Sequence, residues 1–147
     1  MTQPSAERVV SGIRNWTQRT RPTDKAVVVT VPFLIGDGVA VLTTGIKAVL
    51  PIFFNARIIS IAIQEFDGHT GSVTLDIGKF TGGLTPVIVS LIGTGGAVPT
   101  INTGRYYFDD VLGNWNTTIV DGEYISLAVS TISVFTRLSV ALRLRRK

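Results

Sequence analysis

The residue types that support catalysis or metal binding are scarce in this chain of 147 residues. It has no cysteine and one histidine, His69, which excludes disulfides, thiolate metal sites and cysteine nucleophiles. A single histidine also disfavours a histidine-rich metal centre or a local Ser-His-Asp triad. Glu65 and Asp67 are close to His69 in sequence. At a hairpin tip we expect these three to be exposed polar groups rather than catalysts.

The acidic residues do not define a site either. Asp109-Asp110 is the only adjacent acid pair, and with Asp37, Asp67 or Asp121 it offers the oxygen ligands that Ca²⁺ takes. No calcium-loop spacing is present, so a solvated turn is the simpler interpretation. A glycosidase needs two facing carboxylates, and nothing in the spacing selects a pair. The sequence therefore predicts no enzyme activity, no metal and no cofactor.

Two glycine-rich stretches, residues 81–83 and 93–96, invite comparison with phosphate-binding loops. Neither precedes a predicted helix, and neither ends in the required lysine and Ser/Thr. Both are predicted to be flexible loops between strands.

A group of aromatic side chains beside two acids is the best candidate for a ligand surface in the body of the chain. Aromatic rings next to carboxylates can contact sugars or a neighbouring subunit, and the alternative is a plug over the open end of the domain. The surface-binding loop predicted here consists of Tyr106, Tyr107, Phe108, Asp109 and Asp110.

The net charge of +4 is concentrated at the two ends of the chain. Residues 1–25 carry five basic and two acidic side chains, and residues 137–147 carry five basic and no acidic ones. The segment between them has four basic and eight acidic side chains. Basic ends on a mildly acidic body favour contact with acidic surfaces. The C-terminal arginines alternate with leucines and lack interleaved aromatics, which disfavours nucleic-acid binding.

Residues 1–25 are predicted to form an N-terminal arm. Val9, Ile13 and Trp16 fall on one face of a short helix, and Pro22 ends it. The arm is expected to hold this short helix or an extended segment, and its single apolar stripe needs a partner to cover it. The predicted partner-binding residues are Arg8, Val9, Ile13, Arg14, Trp16, Arg19 and Arg21.

From residue 26 the pattern is typical of β-structure, predicted to form one domain over residues 26–147. Apolar or alternating segments are separated by turn residues at the spacing of a sandwich. The class predicted is all-β: an antiparallel jelly-roll-like β-sandwich of about eight strands with an N-terminal arm. The predicted strands are residues 26–31 (ending at Pro32), 39–44, 47–54, 57–64, 72–77, 87–92, 124–129 and 135–144.

Hydrophobic residues make up 45% of the chain and charged residues 16%, with a mean hydropathy of +0.37. No apolar run reaches the ~18 residues of a membrane span, and the first residues lack an apolar signal core. A surface poor in charge, with sandwich edges that invite pairing, predicts a homo-oligomer, in our interpretation a trimer.

An ordered set of motifs resembles a β-sandwich domain that recurs in structural proteins of tailed bacteriophages. The resemblance covers residues 33–146, and the clearest departure is Gly78, where the family has tryptophan. The motifs are Ile35-Gly36-Asp37-Gly38-Val39-Ala40-Val41-Leu42-Thr43-Thr44-Gly45-Ile46-Lys47, Val73-Thr74-Leu75-Asp76-Ile77-Gly78-Lys79, Leu112-Gly113-Asn114-Trp115, Ile119-Val120-Asp121-Gly122-Glu123 and the closing strand from Thr136 to Arg146.

The resemblance implies a virion structural protein without catalytic activity. We expect a capsid cement (decoration) protein, because a tail fibre normally has a coiled-coil stalk and this sequence has none. It would be made in the host cytoplasm, bind the outer capsid surface through its arm and stabilise the shell. Its partners would be further copies of itself and the major capsid protein or other virion proteins, and no membrane. The alternative is a tail-fibre or head-fibre tip or adaptor domain that binds a host-surface glycan.

Overall fold

The computed structural model describes residues 27–147, which form ten β-strands. Within these residues no helix has the length and apolar character of a membrane span. The predicted arm and its partner-binding residues lie outside the described part of the chain. The strands are β1 (Val28–Gly36), β2 (Gly45–Pro51), β3 (Ala56–Glu65), β4 (Gly71–Thr81), β5 (Val89–Ser90), β6 (Thr100–Gly104), β7 (Tyr106–Asp109), β8 (Thr118–Ile119), β9 (Glu123–Ser133) and β10 (Arg137–Arg146).

The strands form two antiparallel sheets of five strands each. Sheet A has the order β1-β10-β3-β7, with β8 also paired to β3. Sheet B has the order β2-β9-β4-β5, with β6 also paired to β4. Every pair in both sheets is antiparallel. The all-β antiparallel sandwich expected from the sequence, and implied by the resemblance, is confirmed.

The core lies between the two sheets and follows from the alternation of side chains along their central strands. In β4 the side chains of Val73, Leu75 and Ile77 are fully buried. In β10, Leu138, Val140, Leu142 and Leu144 are fully buried, while Arg143 and Arg145 between them are exposed. Since successive side chains of a strand point to opposite faces, these buried residues form the inward faces of both strands.

Two of the predicted strands differ from the structure for clear physical reasons. β1 continues through Pro32 to Gly36, because β1 is an edge strand and an edge tolerates a residue without an N–H. The predicted strand over residues 39–44 is irregular instead. Its first turn is held by the Asp37 carboxylate, which accepts the backbone N–H groups of Val39 at 2.8 Å and Ala40 at 3.0 Å.

Residues 93–122, where the sequence predicts no strand, contain the short strands β6, β7 and β8, which pair with β4 of sheet B or β3 of sheet A. Trp115 is nearly buried there and donates its indole N–H to the carbonyl of Ala97 at 2.7 Å. Leu91 and Leu112 are buried beside the core. The structure also explains the departure at Gly78, since a Cβ there would lie 2.7 Å from Ile88 Cγ2 and 2.8 Å from Ser126 Oγ. A tryptophan has no room at this position.

Candidate partner-binding face

Three arginines lie together on the outer face of sheet A, and we call Arg57, Arg143 and Arg145 the arginine cluster. Arg145 on β10 is directly opposite Arg57 on β3, and Arg143 is opposite Ser60. All three arginines are exposed. Directly opposed side chains on adjacent strands have their Cβ atoms about 5 Å apart. Two like charges therefore face each other across the sheet.

No carboxylate of the described residues neutralises the arginine cluster. The four ion pairs within residues 27–147 involve other cations. The outward-facing positions of β1, β3, β7 and β10 include no acidic residue. At the β1 edge, Val28 is the register partner of Arg145, and the Val27 carbonyl accepts the N–H of Arg146 at 2.8 Å. The basic segment 1–25 therefore joins the body beside the arginine cluster.

A very different set of charges lies at the other end of the β3–β10 strand pair. We call Glu65, Asp67, His69, Arg105 and Arg137 the paired-charge corner. The Glu65 carboxylate has no exposed surface, and it accepts the N–H groups of Asp67 at 2.7 Å and His69 at 3.0 Å. Arg105 Nε donates to it at 3.1 Å, and His69 Nδ1 lies 3.3 Å from it.

A second ion pair completes this corner. Arg137 donates to both carboxylate oxygens of Asp67, at 2.6 Å from Nη2 and 3.2 Å from Nε. Its guanidinium also lies 4.6 Å from the ring centroid of Phe66, within cation–π range. These contacts connect the β3–β4 turn to the start of β10. The corner is therefore a structural junction, with each cation held by an anion.

The pKa values of the acids report this environment. Burial alone would raise the pKa of Glu65, but hydrogen bonds from Asp67, His69 and Arg105 outweigh it and lower that pKa. The Arg137 hydrogen bonds lower the pKa of Asp67. The expectation that Glu65, Asp67 and His69 would be exposed loop groups is wrong for Glu65. The sequence signal was the alternation of Ile61, Ile63 and Glu65, which places all three on the inner face of β3.

The aromatic group predicted as a surface loop lies mostly in strand β7, so its placement in a loop is wrong. Tyr106 and Phe108 are exposed on the outer face of sheet A, opposite Gln64 and Ala62. Tyr107 alternates to the other face, and its pKa is raised by burial and by neighbouring Asp109. The two outward rings thus extend the outer face of sheet A away from the arginine cluster.

Asp109 and Asp110, the other members of that group, have separate surroundings. Asp109 Oδ1 accepts the N–H groups of Val111 and Leu112 at 2.8 and 3.1 Å, and so closes the turn after β7. Asp110 is exposed. In residues 27–147 no group of three or more His, Cys, Asp or Glu side chains is arranged to hold a metal ion.

Lys47 and Asp76, two polar residues of the phage-like motifs, are not partners. β9 separates their strands β2 and β4. Lys47 Nζ donates to Thr43 Oγ1 at 2.8 Å, and Asp76 Oδ1 accepts the Ser90 hydroxyl at 2.6 Å. The two side chains therefore do not pair across the sheet.

No protein family and no curated protein matches the chain in sequence. Solved structures with a similar fold include a chain in the capsid of Ralstonia phage GP4, with 13% identity over 84% of this chain and 85% of that one, and a TM-score of 0.49. A chain of the cyanophage Pam1 capsid has 13% identity over 84% and 86%, with a TM-score of 0.34. One from the capsid of Helicobacter pylori bacteriophage KHP30 has 10% identity over 82% and 94%, with a TM-score of 0.36.

Proposed function

We propose that this protein is a bacteriophage capsid cement (decoration) protein that attaches to acidic surface of the shell through its N-terminal arm and the arginine cluster. The observation that carries the proposal is the placement of Arg57 directly opposite Arg145, with no acidic residue of the described part of the chain at an outward position of their strands or of β1 and β7. Like charges at directly opposed positions destabilise a sheet. A bound acidic surface would neutralise both charges. The arrangement therefore lowers the stability of the free protein but favours its complex with an acidic partner.

The point at which residues 1–25 join the body supports the outer face of sheet A as the binding surface. Residues 1–25 add a net charge of +3 where β1 begins, next to Arg145. In this proposal the basic residues of the arm and the arginine cluster bind the same acidic partner. Their like charges favour such a partner over contact with each other. The major capsid protein, whose copies form the shell, is the partner we propose. The ordered phage-like motifs of residues 33–146 support a virion partner.

The arm contributes the apolar anchor in this proposal. Trp16, with Val9 and Ile13, would bury its ring in the shell, since aromatic anchors often dominate interface energies. The body has its own core of buried residues within 27–147, so deletion of residues 1–25 should leave cooperative melting intact. The deletion variant should nevertheless fail to bind particles that lack the protein.

Charge reversal in the arginine cluster is a sharper test of attachment through the outer face of sheet A. Arg143→Glu should weaken binding to such particles about tenfold or more, because it replaces attraction by repulsion at the contact. The matched control is Lys47→Glu, the same change of charge on sheet B, which should bind like the parent. Binding of the parent should also weaken as salt rises. Equal binding by both variants would contradict attachment through this face.

Electron microscopy of the source particle tests the location. Density distributed over the capsid lattice supports a cement protein, whereas density confined to the tail or to one vertex contradicts it. We further propose a homotrimer, since exposed edge strands and a charge-poor surface favour self-association. A concentration-independent monomer mass in light scattering would exclude that oligomer.

The second candidate function is a fibre-tip or adaptor domain that binds a host-surface glycan. Two exposed rings, Tyr106 and Phe108, favour it because they face outward on the edge strand β7. The substitutions Tyr106→Ala and Phe108→Ala should abolish binding to host cells if this function holds. They should leave decoration of the shell unchanged, because both positions are at the other edge of sheet A from β1, where the arm joins.

A further inference from the structure

A cleft of about 330 Å³ opens on the outer face of sheet B. It lies between the middle of β4, the exposed Ser130 of β9 and the loop over residues 92–98. Its volume is at the lower end of the range for small-molecule sites, about 300–1,000 Å³. No residue of the arginine cluster lines the cleft, so a partner that covers the outer face of sheet A would leave it open.

The polar wall of the cleft is pre-arranged. The Ser90 hydroxyl donates to Asp76 Oδ1 at 2.6 Å and accepts the N–H of Ile92 at 3.2 Å. These two bonds fix the orientation of the Asp76 carboxylate. Its register partner on β9 is Ala128, whose methyl group leaves the carboxylate open on that side. None of the hydrogen bonds within residues 27–147 engages Asp76 Oδ2, which is free to accept hydrogen bonds from a ligand.

The opposite wall exposes backbone without side chains at Gly93, Gly95 and Gly96. A Cβ at Gly93 would lie 2.5 Å from the Asn114 carbonyl oxygen, and one at Gly96 would lie 2.9 Å from the Gly93 carbonyl oxygen. Gly95 has a φ of +74°, in the region that favours glycine. The loop therefore requires glycine at these points for its own packing. One consequence is that a ligand can approach its peptide groups without meeting a side chain.

The chemistry of the lining selects a ligand class. Among residues 27–147, Asp76 is the only charged residue that lines the cleft, so an anionic ligand would be repelled. A metal ion would find one carboxylate oxygen already occupied by Ser90 and no second acid among these lining residues. Ile92 and Val98 provide apolar surface beside the carboxylate and the Ser130 hydroxyl. Hydroxyl groups on the edge of a ring and C–H groups on its faces are the combination that this lining complements.

We propose that the cleft binds a neutral sugar residue of a glycan, with Asp76 accepting hydrogen bonds from its hydroxyls. This site differs from the β7 surface in position and chemistry, and it is independent of capsid attachment. A decoration protein bound through sheet A would present sheet B, and with it the cleft, to the medium.

The test is a titration of the full-length ¹⁵N-labelled protein followed by amide chemical shifts. The probes are glucose, galactose, mannose and N-acetylglucosamine, each to about 100 mM, because a site of this size is expected to bind weakly. At least one sugar should give saturable shifts centred on Asp76, Ser90 and the loop over residues 92–98. Glycerol at the same concentration is the polyol control and should give none.

Two variants make the result decisive. Asp76→Asn keeps the shape but removes the charge, and it should weaken sugar binding about tenfold, as for the loss of a charged hydrogen bond. Asp121→Asn, the same change at an exposed aspartate that does not line the cleft, is the matched control and should bind like the parent. Absence of shifts with all four sugars would overturn the proposal. It would also be overturned by shifts equal to those with glycerol, shifts centred on β7, or shifts unchanged in Asp76→Asn.

Discussion

The two ends of the β3–β10 strand pair carry charge in opposite ways. At the paired-charge corner, Glu65 and Asp67 meet Arg105 and Arg137 in hydrogen-bonded ion pairs, and Glu65 has no exposed surface. At the other end, the three side chains of the arginine cluster are exposed, and none of the ion pairs among residues 27–147 includes them. Both ends belong to the same two strands and the same register.

This difference separates charges that hold the fold from charges that are available to a partner. A buried carboxylate is tolerated only when hydrogen bonds and opposite charges compensate its desolvation. Exposed cations incur little desolvation, so a fold can keep them unpaired at a modest cost. We therefore expect substitutions at the corner to lower stability, and substitutions in the arginine cluster to change binding with small effects on stability.

The largest effect is expected at Glu65. Glu65→Ala removes the acceptor of two backbone N–H groups and of Arg105 in a site without solvent. Loss of one partner of such a network should lower the free energy of unfolding by about 3 kcal/mol. Denaturant unfolding measures this, with Asp110→Ala as the exposed control, expected to change it by no more than about 0.5 kcal/mol. A Glu65→Ala variant as stable as its control would show that the corner does not hold the fold.

An intermediate effect is expected from acid. The pKa values of Glu65 and Asp67 are lowered in the folded protein, so their stabilisation is complete above the unfolded-state values of about 4. It is lost as pH falls through the lower folded values, because the folded state must then take up protons that the unfolded state already holds. Melting temperature should therefore fall below about pH 4. The fall should be shallower in Glu65→Gln, and a parallel decline in both proteins would contradict this origin.

Most of the fold could be predicted from the sequence, because strand alternation is a local signal. The inward leucines of β10 and the inward residues of β4 follow from a period of two alone. The continuation of β1 past Pro32 could not be predicted, because it depends on β1 being an edge strand, and the order of strands in a sheet is not a local property of the sequence. The β-branched pattern of residues 39–44 predicts a strand that does not form, for a related reason. The Asp37 turn bends the chain there, and the N–H of Leu42 donates to the carbonyl of Phe135 instead of to a strand partner.

The candidate sites depend on contacts between distant segments, which composition does not reveal. The arginine cluster brings residue 57 beside residue 145, and only the register of β3 and β10 shows that they face each other. Asp76 and Ser90 meet through the β4–β5 pairing. The sequence did indicate a basic C-terminal strand with one polar face. It could not indicate that no acid would lie opposite.

The smallest expected effect tests the arginine cluster most directly. Arg57→Glu places a carboxylate opposite Arg145, which converts a repulsive cross-strand pair into an attractive one. The free protein should become more stable by about 0.2–1 kcal/mol, and the gain should shrink in high salt. Arg57→Gln removes the repulsion alone, and its stability should lie between those of the parent and Arg57→Glu.

The same Arg57→Glu protein should bind capsid particles more weakly than the parent. A residue with a purely structural role would not give this combination, since loss of structure lowers stability and binding together. If Arg57→Glu lowers the melting temperature, the two arginines are not in repulsive contact, and the partner-binding interpretation of this end of the sheet is wrong.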